Sequence, residues 1–284
     1  MFGYVVLHYQ NLEVTIECVN KLKNLSKDAP IVIVDNCSPN HSGKKLKFLF
    51  EQEKRISVVL NEKNDGFAKG NNLGYQYLRN QYTLDYMVVM NNDIMIDDLY
   101  FEKKIADFMK LNSVDVCGPD MVTIAGKHQN PLSLKAFSNE FLRRRIIVDS
   151  IKYALLHISP IVSFYLKYKK KKMIAPREKQ KTTFDCILHG SCLIYGAKYI
   201  NKEEFAFLPV TFMYNEEAIL YDYLYSKGYK TGYCDDVSIL HLEGASTKQT
   251  SNNQKDKVLF RFQNNTNSLK QQLKLRQHYT KKET

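Results

Sequence analysis

Tryptophan is missing from all 284 residues, and none of the six cysteines stands in a CxxC pair. The first absence excludes little, because 44% hydrophobic and 12% aromatic residues argue against a disordered chain. The second is more informative. Cys18, Cys37, Cys117, Cys186, Cys192 and Cys234 are scattered, several of them inside apolar runs such as VDVCG. They read as reduced thiols filling core space, with a structural zinc site disfavoured. No stretch approaches the roughly 20 apolar residues of a spanning helix, so any contact with a membrane would be peripheral. The first apolar run follows Met1 with no basic leader or cleavage site, which leads to the expectation of a cytoplasmic protein. A GxGxxG fingerprint, a phosphate-binding P-loop and an internal repeat are also missing, which weakens redox-cofactor, ATPase and solenoid readings.

What is present fits one large domain, or one domain with an elaborated region. The net charge of +11 and pI near 9.2 favour an anionic partner: nucleic acid, a nucleotide ligand or an acidic membrane surface. The first half alternates strand and helix. YVVLHY, PIVIVDN, ISVVLNE and DYMVVMNND read as strands, and LEVTIECVNKLKNL, KLKFLFEQ and FAKGNNLGYQYLRNQY read as helices. That rhythm predicts an α/β fold with a mostly parallel sheet flanked by helices, whose ligands sit beyond the carboxyl ends of the strands. Asp35, Asn64, Asp65 and Asp93 all fall just after such runs. Turn chemistry explains any single case, but the recurrence on one edge points to a site.

Four places in the sequence carry candidate chemistry. In NDGFAKGNNLGYQYL the glycines permit close backbone approach at a helix start, where anions are favoured; a crowded helix entry explains it equally well. In VVMNND, Asp93 can give a hard divalent ion one carboxylate and Asn91 an amide oxygen, while Asn92 shapes the turn. Asp93 can instead cap the following helix, although Asp97 and Asp98 offer nearer caps. In FMYNEEAILYDYLYSKGYK, Glu216 and Glu217 open a helical pattern, so one can face a cleft as a general base or both can be ordinary solvated acids. His241, after VSIL, is a metal ligand or a satisfied histidine at a sheet edge.

The order of VVLHYQNLEVTIECVNKL, IVIVDNCSPN, NEKNDGFAKGNNLGYQYL, YMVVMNND, HGSCLIYGAKYI, FMYNEEAILYDYLYSKGYK and DVSILHLEGAS resembles the inverting glycosyltransferases of family 2. The likeness is to the bacterial rhamnosyltransferase-like enzymes of surface polysaccharide synthesis. It implies the GT-A fold, a nucleotide-sugar donor carrying UDP or dTDP, and Mg²⁺ or Mn²⁺ as cofactor. His8, Tyr9 and Asp35 would border the nucleoside, and Asn64, Gly66, Phe67 and Asn71 would enclose the nucleotide-sugar. Asn91, Asn92 and Asp93 occupy the Asp-x-Asp position, with Asp93 as the metal-binding carboxylate and His241 as a later metal or diphosphate contact. The motif departs from its simplest form at Asn91. Glu217 aligns with the catalytic base, with Glu216 in support, and Ile219 stands where some relatives carry an Asp.

The expected division is 1–122 for the nucleotide-sugar-binding half, 123–183 for a basic and apolar elaboration, 184–247 for the acceptor and catalytic half, and 248–284 for a basic C-terminal helical extension. The resemblance further implies transfer of a hexosyl or deoxyhexosyl group to a saccharide linked to polyprenyl diphosphate, at the inner face of the cell membrane. Arg143 to Arg145 and Lys169 to Lys172 flank an apolar stretch suited to an anionic interface, and packing of that stretch on the domain or in a homodimer explains it equally well. Pro160 interrupts any single helix through it. Three rivals stand beside the transferase: a sugar nucleotidyltransferase, which lacks its early glycine and lysine arrangement here; a nucleotide-sugar-binding protein without activity; and a nucleic-acid-binding protein, the least favoured partner class.

Overall fold

The computed structural model describes residues 1–158, 165, 177–242 and 254–280. Pro160, Lys167, the run Lys169 to Lys172 and the expected boundary at residue 247 lie outside the described residues. The backbone order is β1 (Phe2–His8), α1 (Leu12–Leu25), β2 (Ile31–Asp35), α2 (Ser42–Leu49), β3 (Ile56–Leu60), α3 (Phe67–Gln81), β4 (Tyr86–Asn91) and β5 (Ile94–Met95). Then follow α4 (Phe101–Asn112), β6 (Val116–Thr123), α5 (Asn139–Leu155), β7 (Thr183–Phe184), β8 (Cys192–Gly196), α6 (Ala197–Lys202), α7 (Glu216–Ser226), β9 (Thr231–His241) and α8 (Gln254–Thr280).

The strands form one sheet in the order β3-β2-β1-β4-β8-β6-β9-β5, with β7 added against β9. The strand and helix alternation read from the first half produces the four parallel strands β3-β2-β1-β4. Beyond β4 the sheet becomes mixed: β8 runs antiparallel to β4 and β6, whereas β6 and β9 are parallel. The long apolar run FDCILHGSCLIYG is not one continuous strand. Only its first residue, in β7, and its end, in β8, pair regularly, and Asp185 adopts a positive φ of 50°. The intervening His189-Gly190-Ser191 is therefore a loop, and it enters the site.

Alternation within buried strands divides the core in two. Tyr4, Val6, Ile31 and Ile33 pack under α1, α2 and α4, while Val5, Val32 and Val34 face Ala68, Tyr75 and Leu78 of α3 and Ile219, Leu220 and Leu224 of α7. α1 shows the cause locally. Its buried Thr15, Cys18, Val19 and Leu22 follow helical spacing, and the Asn11 side chain caps it by accepting from the Val14 N–H. Ahead of α4, Asp98 accepts the Tyr100 N–H at 2.9 Å rather than capping the helix, and Tyr100 holds the cap position without a side-chain bond. All six cysteines are free, five of them buried, as expected of core thiols.

The last helix packs across α5 and α7. α8 packs Val258 and Phe262 on Leu156 just past α5. Farther along, Arg276 forks onto both carboxylate oxygens of Asp222 on α7 at 2.6 Å. Gln272 bridges the same Asp222 and the side chain of Asn215, which precedes α7.

Candidate active site

Three parallel strands and the end of β9 deliver the predicted polar residues to one edge. At the end of β2, Asp35 is buried and accepts from the backbone N–H of Ser38 at 3.1 Å. Burial raises its carboxyl, and the Ser38 hydrogen bonds partly oppose that. His8 lies behind it. Its ring is fully buried, with Nδ1 2.6 Å from Thr15 Oγ1 and Nε2 2.7 Å from Ser42 Oγ. Both nitrogens are thus engaged within the protein, and burial pushes the imidazole down to about 4, so His8 is a neutral wall residue. Tyr9, next along, is half-buried.

The entry to α3 forms the adjoining wall. Gly66 has φ +86°, and a Cβ there would lie 2.0 Å from the Phe212 carbonyl oxygen, so only glycine fits. That carbonyl accepts the Phe67 N–H at 2.9 Å. Asn64 is exposed and binds the Gly66 N–H and the Asn36 amide. Asn71 is buried and donates to the Phe67 carbonyl, while its Oδ1 has no hydrogen-bond partner. Asn36, which sequence reasoning passed over although it completes VDN, ties β2 to this loop through Asn61, Asn64 and Gly66.

After β4 the three residues part company. Asn92 is buried and donates to Thr15 Oγ1 at 2.8 Å, which ties it to α1. Asn91 donates to Ser191 Oγ at 3.1 Å. Asp93 is buried, and its Oδ1 accepts no hydrogen bond. The nearest cationic candidate is His241 Nε2 at 3.4 Å, brought there because Ile94 of β5 pairs with His241 of β9.

The tautomer of His241 follows from its other nitrogen. Nδ1 lies 2.6 Å from the Gln129 side-chain oxygen, which can only accept, so Nδ1 carries the proton and Nε2 presents a lone pair to Asp93. Two acceptors therefore face each other across 3.4 Å in a buried setting. That arrangement fits a cation, and these two residues would hold it. Among the described residues no group of three or more His, Cys, Asp or Glu side chains is placed to hold a metal. A pair of protein ligands suits a hard ion whose remaining positions are taken by a diphosphate. Gln129 was missed in the sequence because it lies in an aperiodic stretch between β6 and α5.

On the opposite wall, α7 starts at the acidic pair. Glu216 is buried, accepts from Thr211 Oγ1 at 3.1 Å, and is pushed well above the usual carboxylate range by burial and then by the charge of Glu217. Glu217 is half-buried and accepts the Gly190 N–H at 3.3 Å; burial raises it too, and backbone hydrogen bonds, including that of Gly190, oppose the shift. A Cβ on Gly190 would come within 2.8 Å of Glu217 Oε1, so glycine is what lets the loop and the carboxylate meet. The loop joins both walls: Gly190 holds Glu217, Ser191 holds Asn91, and the His189 ring lies 5.9 Å from that of His241. Its motif, HGS, was legible in the sequence, but its place between the two walls was not.

The model of glycosyl transferase family 2 matches residues 4–173, more than half of the chain. No curated protein is similar enough in sequence to match. Among solved structures, residues 1–349 of TarS from S. aureus superpose with a TM-score of 0.51 at 15% identity, over 93% of this chain and 70% of that fragment. The same fragment in complex with UDP gives 0.51 at 14% identity over the same shares. The mannosyltransferase PcManGT from Pyrobaculum calidifontis, in complex with GDP-Man and Mn²⁺, gives 0.54 at 11% identity, over 86% of this chain and 57% of that one. At such identities the likeness is one of fold, and the architecture is GT-A-like.

Proposed function

The chain belongs to glycosyl transferase family 2, whose chemistry is transfer of a sugar from a nucleotide-sugar to an acceptor, and from that premise we propose an inverting, metal-assisted reaction at the strand edge described above. The donor is a UDP- or dTDP-hexose or deoxyhexose, rhamnose-like sugars included. The acceptor is a hydroxyl of a growing surface saccharide carried on a polyprenyl diphosphate. The observation that carries this reading is the pair of facing acceptors, Asp93 Oδ1 and His241 Nε2, joined through the 189–191 loop to the base on the other wall.

Asp35, Asn64, Gly66, Phe67 and Asn71 line the donor side, with Tyr9 at the adjacent strand end and the unpartnered Asn71 Oδ1 free to accept a donor hydroxyl. Asp93 and His241 would hold Mg²⁺ or Mn²⁺, which when bound neutralises charge on a departing diphosphate. Glu217 accepts the proton of the acceptor hydroxyl as its oxygen attacks the anomeric carbon from the face opposite the nucleotide. The bond from that carbon to the diphosphate oxygen breaks as the new glycosidic bond forms, and the configuration inverts. Burial and the charge of Glu217 raise Glu216 well above the usual carboxylate range, so Glu217 is the member of the pair assigned as base. The Gly190 N–H orients it.

A panel of UDP- and dTDP-sugars, scored for release of nucleoside diphosphate with Mn²⁺ or Mg²⁺ and with chelator, tests the reading. Metal-dependent turnover lost in both Asp93→Ala and Glu217→Gln is the expected result. Failure of the wild type to bind any nucleotide-sugar, measured by calorimetry, would overturn it.

A further inference from the structure

α5 is apolar on two faces. One face meets α8: Leu142 is buried, and Asp149, fully buried beneath Arg145, accepts from Asn265 of α8 at 2.7 Å. The opposite face looks outward and is also aliphatic. Ile147 and Ile151 are 59% and 54% exposed, and the ridge continues through Leu155 at the helix end to Ile158, 51% exposed. Spacings of four, four and three residues place these side chains in a continuous row. A helix of a water-soluble surface ordinarily carries charge there. Around the row stand Arg143, Arg144 and Lys152, all exposed, with Glu140 at the start of the helix.

We propose that this outward face of α5 docks on an anionic lipid bilayer, the helix lying flat in the headgroup region with its isoleucines below and its arginines at the phosphates. Charge selects this occupant. A second copy set against the same face would bury Arg143, Arg144 and Lys152 of both chains beside the row, with Glu140 at the helix start to offset them. Nucleic acid would meet the cations but leave the row of aliphatic side chains unused. A bilayer with anionic lipids satisfies both, since stable interfacial binding takes apolar insertion and basic contact together. Among the described residues no helix is long and apolar enough to cross a membrane, so the contact is one of lying on the surface. The proposal rests on this surface alone and not on the transfer chemistry.

The test is co-sedimentation of the full chain, without donor or metal, with vesicles of phosphatidylcholine alone or mixed with phosphatidylglycerol. Two variants are compared: Ile147→Ser with Ile151→Ser and Ile158→Ser, and Arg143→Gln with Arg144→Gln. All five positions are exposed, so the thermal midpoints are expected to stay at the wild-type value. The wild type should bind the anionic vesicles and bind neutral ones far more weakly. The arginine variant should bind about thirtyfold more weakly, given the contribution of each basic residue near such a surface. The isoleucine variant should lose at least about tenfold. Three results would overturn the proposal: no partition of the wild type, unchanged binding of the isoleucine variant, or a wild-type dimer in sedimentation velocity that this variant converts to monomer.

Discussion

Gln129 touches neither substrate nor metal in the proposed reaction, yet its replacement should be felt at the metal. Its side-chain oxygen, 2.6 Å from Nδ1, keeps the His241 proton on that nitrogen and leaves Nε2 as a lone pair toward Asp93. Gln129→Leu removes that acceptor. The proton then gains by moving to Nε2, where Asp93 Oδ1 stands 3.4 Å away with no other hydrogen bond to accept. An entering cation must displace it. Losses of this kind at ligating histidines run to about 10- to 100-fold in metal affinity, or about 1.4 to 2.7 kcal/mol. The midpoint, about thirtyfold, is the expected value here because the site is buried and water replaces the lost acceptor poorly. The assay is Mn²⁺ titration in the presence of a nucleoside diphosphate, following free Mn²⁺ by electron paramagnetic resonance. Gln129→Glu keeps an acceptor at the same place and should bind Mn²⁺ at least as well as the wild type. Equal affinity in Gln129→Leu, with its thermal midpoint intact, would refute the tautomer argument. Equal losses in both variants would reduce Gln129 to a structural residue.

Three further perturbations have defined outcomes. A carboxyl raised on folding, as Glu216 is, favours the folded state fully below its unfolded value and loses that contribution as pH climbs through its folded one. Glu216→Gln does not titrate, so the thermal midpoint of the wild type should fall progressively relative to this variant from about pH 5 to about pH 9, and a constant difference would contradict a buried, neutral Glu216. Gly66→Ala must place its Cβ against the Phe212 carbonyl at a positive φ, and urea unfolding should show a loss of at least about 2 kcal/mol. Arg276→Ala strips the fork from Asp222 and should cost about 2 to 3 kcal/mol in the same experiment; a neutral result would mean that α8 is held by its apolar contacts alone.

The parallel half of the fold was legible because β1, β2 and β4 are apolar runs buried on both faces and its helices repeat at 3.6 residues, so each element announces itself over five to fifteen residues. The mixed half was harder. β7 and β5 are two residues each, too short for any period, and the run from Phe184 to Gly196 hides a loop inside apolar composition. The same division holds in the site. Asp35 and Asp93 follow strong strands and could be placed on one edge from sequence. His8 stands at the same edge, yet its ring is turned inward to Thr15 and Ser42, and the choice of side depends on tertiary packing that the strand pattern does not carry.

The loop from His189 to Ser191 shows why neither wall of the site can be understood separately. Asn91 sits at the end of a strand paired to β8, and Ser191 immediately precedes β8, so the β4 to β8 register fixes where the loop stands. Gly190, one residue earlier, meets Glu217 without a side chain between them. Any shift in that register would slide the loop, and with it the Gly190 contact to Glu217, relative to the Asp93 edge. The spacing between Glu217 and the Asp93–His241 pair is therefore set by sheet hydrogen bonds rather than by flexible side chains, which is the kind of rigidity that the proposed in-line displacement between a hydroxyl and a diphosphate requires.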